Sequence, residues 1–489
     1  MRSAHHVVSV VAFIVLGALA LSAGCGSNGG GSNGANDGGV ASSSSGGGGG
    51  SGGFALPDVN KCSTNFQCIN MGCPDSTKHT TITGTVYDPA GNNPLAGVAV
   101  YVPSSLPLEP LPKGASCGDC SLLYKNTPLA SAVSGPDGVF HIVDAPTGQG
   151  VPIVVQAGKW RALYSATAND CQDTVSMTKF RLPKNSMDTA GANLPDIAIS
   201  TGGLDSLECM LTRIGVDPAE YTSGGGGTGH IHIFQGGNGG SNIPGPTTAG
   251  GSPSSATALW SSAASLQPFD VVLLSCEGGE TAGANPAALE AYVKGGGRVF
   301  ASHFHYSWFT QPASPFRGYG LGTFAAGSNP TGDINAVIDT SFAQGKLLHD
   351  WLALPQIAAL TNDQLPIQQS RQNVLMYNDP PVKSWIKAAP NVSSPAMPGL
   401  TQYFSFDVRV GEITCGRVVY SDLHVGAAST DYGNSLNTNM STQGGIVPTG
   451  CNQAAKLSPQ EVVLEYMLFD LSSCLAPPNM PKPAPQTAK

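Results

Sequence analysis

Two histidines one residue apart, His303 and His305, close an apolar run in the stretch VFASHFHYSWF. Glu277 and Glu280 follow a second apolar run, VVLLSC, and Asp422 and His424 follow a third, RVVY. If the three runs are neighbouring parallel strands, their carboxyl ends meet on one edge, where open α/β sheets bind ligands. Glu277, His303 and His424 would then form a catalytic set, because a carboxylate beside an imidazole orients and charges it for general-base work. The edge could equally hold a divalent metal through His303 and His305, with a position left for water. The expected function is binding: Gln235, His305, Tyr306 and Trp308 would line a rim for a glycan or other small polar, polyol-type ligand, the alternative being a secreted hydrolase or sugar-modifying enzyme, metal-assisted or not, that uses His303, His305, Glu277 and His424. The bland alternative is that Phe300, Phe304, Tyr306, Trp308 and Phe309 pack together, with the histidines hydrogen-bonded among them.

Cys276 offers rival chemistry beside Glu277, as a thiol nucleophile activated by His303. Its competing role is that of an inert cysteine filling the sheet. A second His-x-His pair, His230 and His232 in GHIHIFQ, starts its strand instead of ending it. At about 3.3 Å per residue, His230 stands roughly 16 Å from the carboxyl edge, so this pair is expected to be structural.

Holding such an edge together takes alternating strands and helices, and the second half of the sequence supplies them. LDSLECMLTRIGVDPAEY has apolar residues at helical spacing and a Gly-Val-Asp-Pro stop. SATALWSSAASL and NPAALEAYVKGGG read as further helices, the latter with Pro286 in its first turn. FDVVLLSCEGGE is a nearly continuous apolar strand, as suits a sheet covered on both faces. CGRVVYSDLHV is a late strand, and LSPQEVVLEYMLFDLSSCL a terminal helix capped by Ser458 with Pro459 just inside. The alternation predicts an α/β domain with a mostly parallel sheet.

The first half has a different texture. TITGTVYDPAGNNPLAGVAVYVP, SGPDGVFHIVDAPTG and VPIVVQAGKWRALYSAT are short strands between Pro/Gly/Asn turn clusters, the pattern of a β-sandwich. Charged residues make up only 11% of the 489-residue chain, which has a net charge of -9 and no basic stripe. A nucleic-acid partner is therefore excluded.

At the start, Arg2 precedes the apolar run VVSVVAFIVLGALALSAG, which ends in small residues at Cys25 and reads as an export signal. A Gly/Ser-rich stretch follows that can bury nothing and serves as a tether. Twelve cysteines are present; setting Cys25 aside leaves eleven, so in an oxidising compartment one thiol is left over. With pairing inside each half, the odd cysteine belongs to the second. Cys415 with Cys451 would fasten the long loop after His424, and Cys209 with Cys474 would tie the first helix to the last. Cys117-Gly-Asp-Cys120 has zinc-knuckle spacing but no matching second pair, so disulfide use is expected.

Three resemblances sharpen this. LSAGC resembles the bacterial lipobox, although Leu21 lies one place further upstream than usual. It implies lipidation of Cys25, attachment to the membrane, and a bacterial envelope address at the outer membrane or cell surface. GTVYDPAG, PLAGVAV and DGVFHI, within Thr81 to Ile199, resemble the carboxypeptidase regulatory-like domain, a transthyretin-like sandwich that brings no catalytic residues. FDVVLLSCEGG, ALEAYVKGGGRVFASH and CGRVVYSDLHVG resemble the class I glutamine-amidotransferase-like superfamily, particularly its trehalose-utilisation-type branch. In amidotransferases a cysteine nucleophile stands at the sharp strand end; here that position is His303, so glutamine hydrolysis is not implied. Gly318 to Gly411 has no counterpart in that pattern. The expected order is 1–24 signal peptide, 25–53 lipidated cysteine and tether, 54–80 cysteine-bearing cap, 81–200 all-β sandwich, 203–475 α/β domain and 476–489 proline-rich tail.

Overall fold

The structure is a computed structural model. It describes residues 72–118, 120, 128–202, 204–205, 207–224, 227–238, 241–242, 253–391, 399–424, 456–477, 482–485 and 487. The expected signal peptide, Cys25, the tether, most of the cap segment and Cys451 lie outside these residues. All of the described residues belong to one unit, Leu56–Lys489.

Two four-stranded sheets make the β-sandwich. In one, Thr81–Tyr87 is central, flanked by Val139–Val143 and Asp173–Val175, with Phe180–Arg181 further along it. The other runs Ala130–Val133, Ala99–Val102, Gly148–Ala157, Trp160–Ala168, all antiparallel. Thr81–Tyr87 alternates strictly, with Ile82, Gly84 and Val86 turned inward, the period-2 signature of a strand with one face in a core. Gly84 is required there, since a Cβ would meet the Phe140 and Phe180 rings at 2.7 Å.

The second architecture is a large mixed sheet. Its parallel half runs Tyr221–Ser223, Ile231–Gln235, Ile197–Ser200, Val271–Leu274, Arg298–Ser302, Ile413–Ser421. Its antiparallel half continues from Ile413–Ser421 through Thr401–Val410, Val382–Ala388, Pro330–Ile338 and Leu365–Arg371. Four of these come from the stretch between Gly318 and Gly411, so the sheet is less parallel than the sequence suggests. The switch occurs at a hairpin whose two-residue loop begins with Gly411 at φ 61°, a conformation that favours glycine.

One boundary needs moving. Ile197–Ser200, assigned with the sandwich, is a central strand of the large sheet between Ile231–Gln235 and Val271–Leu274. A four-residue apolar strand has no periodicity to say which sheet it joins. SATALWSSAASL also differs: it forms two short helices, Ala256–Leu259 and Ala263–Leu266. Ser262 accepts a hydrogen bond from the Ser265 amide at 3.1 Å and so starts the second helix, the ordinary use of serine at a helix start.

The sandwich and the α/β part share one hydrophobic core. It runs from Ile82 and Phe140 through Trp160 to Leu207, Trp351 and Phe469. Trp160 meets Phe469 edge-on at 5.6 Å, and the Trp351 indole donates to the Pro94 carbonyl at 2.6 Å. The terminal helix Pro459–Ser472 is buried on every face. It touches the sandwich strand Gly148–Ala157 as well as Arg298–Ser302 and Leu365–Arg371 of the large sheet. Its start is as expected: Ser458 and Glu461 form a reciprocal capping box behind Pro459, satisfying two amides that the helix cannot.

Disulfides follow the shared core. Cys117 bonds Cys415, Cys120 bonds Cys474, and Cys73 of the cap segment bonds Cys171. This corrects both expected pairs, Cys415 with Cys451 and Cys209 with Cys474. Cys209 is itself disulfide-bonded, though not to Cys474. The premise of pairing within each half fails because the halves are packed against one another. These bonds fit an oxidising environment. No helix among the described residues is long and apolar enough to cross a membrane.

Candidate functional site

Val271–Leu274, Arg298–Ser302 and Ile413–Ser421 are consecutive neighbours in the sheet and run in the same direction. Their carboxyl ends therefore bring Cys276, His303 and His424 together, with one ligand-type atom from each, all within 4.8 Å of one another. The Cys276 sulfur lies 3.4 Å from His303 Nδ1, and the two imidazole rings are 4.9 Å apart. All three side chains are sealed from solvent. Cys276 is the free cysteine among the described residues.

Local backbone geometry sets His303. The strand stops abruptly at Ser302 and turns straight into a 3-10 helix, His303–His305. His303 sits at φ 40°, a left-handed conformation that costs a non-glycine residue on the order of 1–3 kcal/mol. Its Nε2 faces the Ser328 carbonyl at 3.1 Å. A carbonyl oxygen only accepts, so Nε2 carries the proton and Nδ1 presents its lone pair to Cys276.

The fourth member, the fully buried Asp205, follows the central strand Ile197–Ser200. Its Oδ2 accepts from the Ser302 hydroxyl at 2.6 Å and the Cys276 amide at 3.3 Å, while Oδ1 stands 3.3 Å from His424 Nδ1. Neither ring nitrogen of His424 makes a hydrogen bond among the described residues. The His424 carbonyl accepts from Gln460 of the terminal helix at 2.7 Å.

Burial dominates the electrostatics. It pushes the Cys276 thiol up, reinforced by the Asp205 charge. Burial together with the charges of His424 and Arg371 lowers His303 to about 3, and burial lowers His305 to about 4. Both rings are thus neutral at ordinary pH, and the isolated thiol stays protonated. Asp422 is raised to about 6 by burial. The Tyr420 hydroxyl lies 2.8 Å from the His303 carbonyl and 2.7 Å from Asp422 Oδ1. A hydroxyl has one proton, so both bonds form together when Asp422 is protonated. Arg371, at the end of Leu365–Arg371, makes no ion pair among the described residues, and its charge acts on Cys276, Asp205 and Asp422.

The other expected residues take different places. Glu277 is buried beside Cys276 but is not one of the clustered ligand-type groups. His303 and His305 do not form the expected metal pair. The 3-10 turn ends the strand spacing that would put them on one face, and His305 Nδ1 donates instead to the Ser302 carbonyl at 2.8 Å. Tyr306 and Trp308 do not line an open rim. Trp308 is fully buried against Trp260 and donates to Thr281 at 3.1 Å, and the Tyr306 hydroxyl donates to Glu280. Gln235 lies on the same edge, but Ile197–Ser200 separates its strand from that of Cys276, about 10 Å at the usual strand spacing. His230 and His232 are satisfied at the opposite end, by Glu220 at 2.6 Å and the Gly224 carbonyl at 2.9 Å. Asp205 and Arg371 were missed. The signal for Asp205 was an acid just beyond the apolar run IAIS, hidden while that run was counted with the sandwich.

No family model matches this chain, and no curated protein matches it. Among solved structures, it is similar to a ThuA-like protein from Bacteroides uniformis at 12% identity and a TM-score of 0.26, over 47% of this chain and 82% of that one. A type II cohesin-X-dockerin complex from Acetivibrio cellulolyticus is similar over 28% of this chain and 85% of that one, at 14% identity and a TM-score of 0.16.

Proposed function

We propose that this chain is an exported envelope protein whose α/β part is a hydrolase, acting on a small polar substrate of the sugar or polyol kind. The observation that supports it is the meeting of Cys276, His303 and His424 on three adjacent carboxyl ends, with Asp205 beside His424. An imidazole oriented by a carboxylate is equipped to move protons, and a site closed to bulk water strengthens each electrostatic contact within it. Glu277, buried on the Cys276 strand end, is a further proton-transfer group. Because Tyr306 and Trp308 are packed inside, recognition falls to polar groups rather than to aromatic stacking.

The same reading takes Cys25 as the lipidated anchor at the outer membrane or cell surface, followed by a Gly/Ser-rich tether. The sandwich is read as a carboxypeptidase regulatory-like module supporting an amidotransferase-like, trehalose-utilisation-type unit. The test uses full-length chain recovered from an oxidising compartment and a panel of chromogenic sugar esters and glycosides. His303→Ala and His424→Ala should each lower turnover by about 10²–10⁴-fold. A panel without any turnover, or turnover indifferent to both changes, would overturn the reading. Cys25→Ser should move the protein from the detergent-extracted membrane fraction into the soluble one.

A further inference from the structure

We propose that Cys276, His303 and His424 bind one divalent zinc-class ion, through Sγ, Nδ1 and Nε2 respectively. This rests on the reading of the carboxyl edge as the working site, and it names the cofactor of that site.

Four observations converge on it. First, the three ligand-type atoms come from three consecutive strand ends and lie within 4.8 Å of one another. For tetrahedral zinc with ordinary Zn–S and Zn–N lengths, a sulfur and a nitrogen ligand stand roughly 3.6 Å apart. The Cys276–His303 separation is 3.4 Å. Second, His303 has its outer nitrogen engaged, Nε2 donating to the Ser328 carbonyl, while His424 Nδ1 stands 3.3 Å from the Asp205 carboxylate without a hydrogen bond to it. A partner such as the Ser328 carbonyl fixes the tautomer and aims the other nitrogen at a metal, and the Asp205 carboxylate is placed to do the same for His424 once a metal draws the ring into register. Third, both ring nitrogens of His424 are buried without a hydrogen bond among the described residues, a costly arrangement that a metal bond at Nε2 relieves in part. Fourth, His303 is held in its left-handed conformation, with its carbonyl against the Tyr420 hydroxyl. Strain of this sort persists where surrounding structure imposes it for a purpose.

The donor set selects the ion. One thiolate and two imidazoles suit zinc and other borderline d-block ions, not calcium or magnesium. Three protein ligands leave one position for water or substrate, as in catalytic zinc sites. Binding converts the Cys276 thiol to a bound thiolate, so one proton leaves to solvent for each ion taken up. No oxidant or reductant takes part.

The deciding experiment loads full-length chain with zinc, removes excess by desalting and measures metal by mass spectrometry. The chain is then reloaded with cobalt and its near-ultraviolet spectrum recorded. About one zinc per chain is expected, with a thiolate-to-cobalt charge-transfer band that Cys276→Ser abolishes. Asp205→Asn, which leaves all three ligands in place, should weaken affinity by about 10–100-fold. Circular dichroism separates loss of metal from loss of fold in each variant. Unmodified chain that holds no zinc and gives no cobalt band overturns the site, as does a band that survives Cys276→Ser. Metal-free chain that still turns over the chromogenic panel would sink the metal and leave the hydrolase standing. Metal-loaded chain inert on the panel would do the reverse.

Discussion

At position 303 a histidine occupies backbone that glycine or asparagine would accept more readily. The left-handed conformation at φ 40° disfavours β-branched residues most. His303→Asn should therefore unfold in urea close to wild type, whereas His303→Val should be about 1–3 kcal/mol less stable than the asparagine variant. Equal stabilities would mean that the turn is not strained. A second residue-scale expectation concerns His230 and Glu220, bonded at 2.6 Å at the far end of the sheet. The hydrogen bond to Glu220 raises His230 above 6.5 against the opposing effect of burial. Burial pushes Glu220 upward, but its bonds with His230 and Ser186 outweigh that and leave it below 4.5. The raised histidine stabilises the fold fully below about 6.5 and ceases to do so as pH rises through its folded value; the depressed glutamate stabilises it above about 4.5 and ceases to as pH falls. The stability difference between wild type and His230→Gln should accordingly be largest between those limits and shrink above them. Urea titrations at several pH values check this, and a difference that grows above neutrality would refute it. Residue types made His303 and His424 legible in the sequence. Asp205 was not, because its importance depends on which strand precedes it.

Elements with their own punctuation were the readable ones. The terminal helix announced itself through Ser458, Pro459 and Glu461, and all three do what their types suggest. That start also supports the site, since Gln460, in the first turn, holds the His424 carbonyl. Ser458→Ala should cost about 1 kcal/mol in stability, measured by urea unfolding, and no loss would mean that the capping box is idle. The buried parallel strands were legible as unbroken apolar runs such as VVLL. The antiparallel half was not. Strands such as Leu365–Arg371 mix buried and partly exposed positions, and nothing local says that they extend a parallel sheet. Ile197–Ser200 was visible as a strand yet assigned to the wrong sheet, because partner choice is a long-range property that four residues do not encode.

For the whole molecule, the sandwich is part of the α/β body's core and not a detachable appendage. Trp160 against Phe469, and the disulfides Cys117–Cys415 and Cys120–Cys474, hold the two together. Replacing Cys117 and Cys415 jointly by serine should lower stability by about 2–5 kcal/mol, read from urea midpoints under oxidising conditions; an unchanged midpoint would argue against the bond. Both architectures could be read from texture, but their union could not, since disulfide connectivity is absent from sequence and the shared core appears only on packing. The two bonds span 298 and 354 residues, which has a consequence for how the protein is made. Cys117 and Cys120 emerge side by side long before either partner has been synthesised, and their nearest available partners are each other. Neither native bond can form until Cys415 and Cys474 have followed, so the covalent joining of sandwich and large sheet is a late event in the making of the chain.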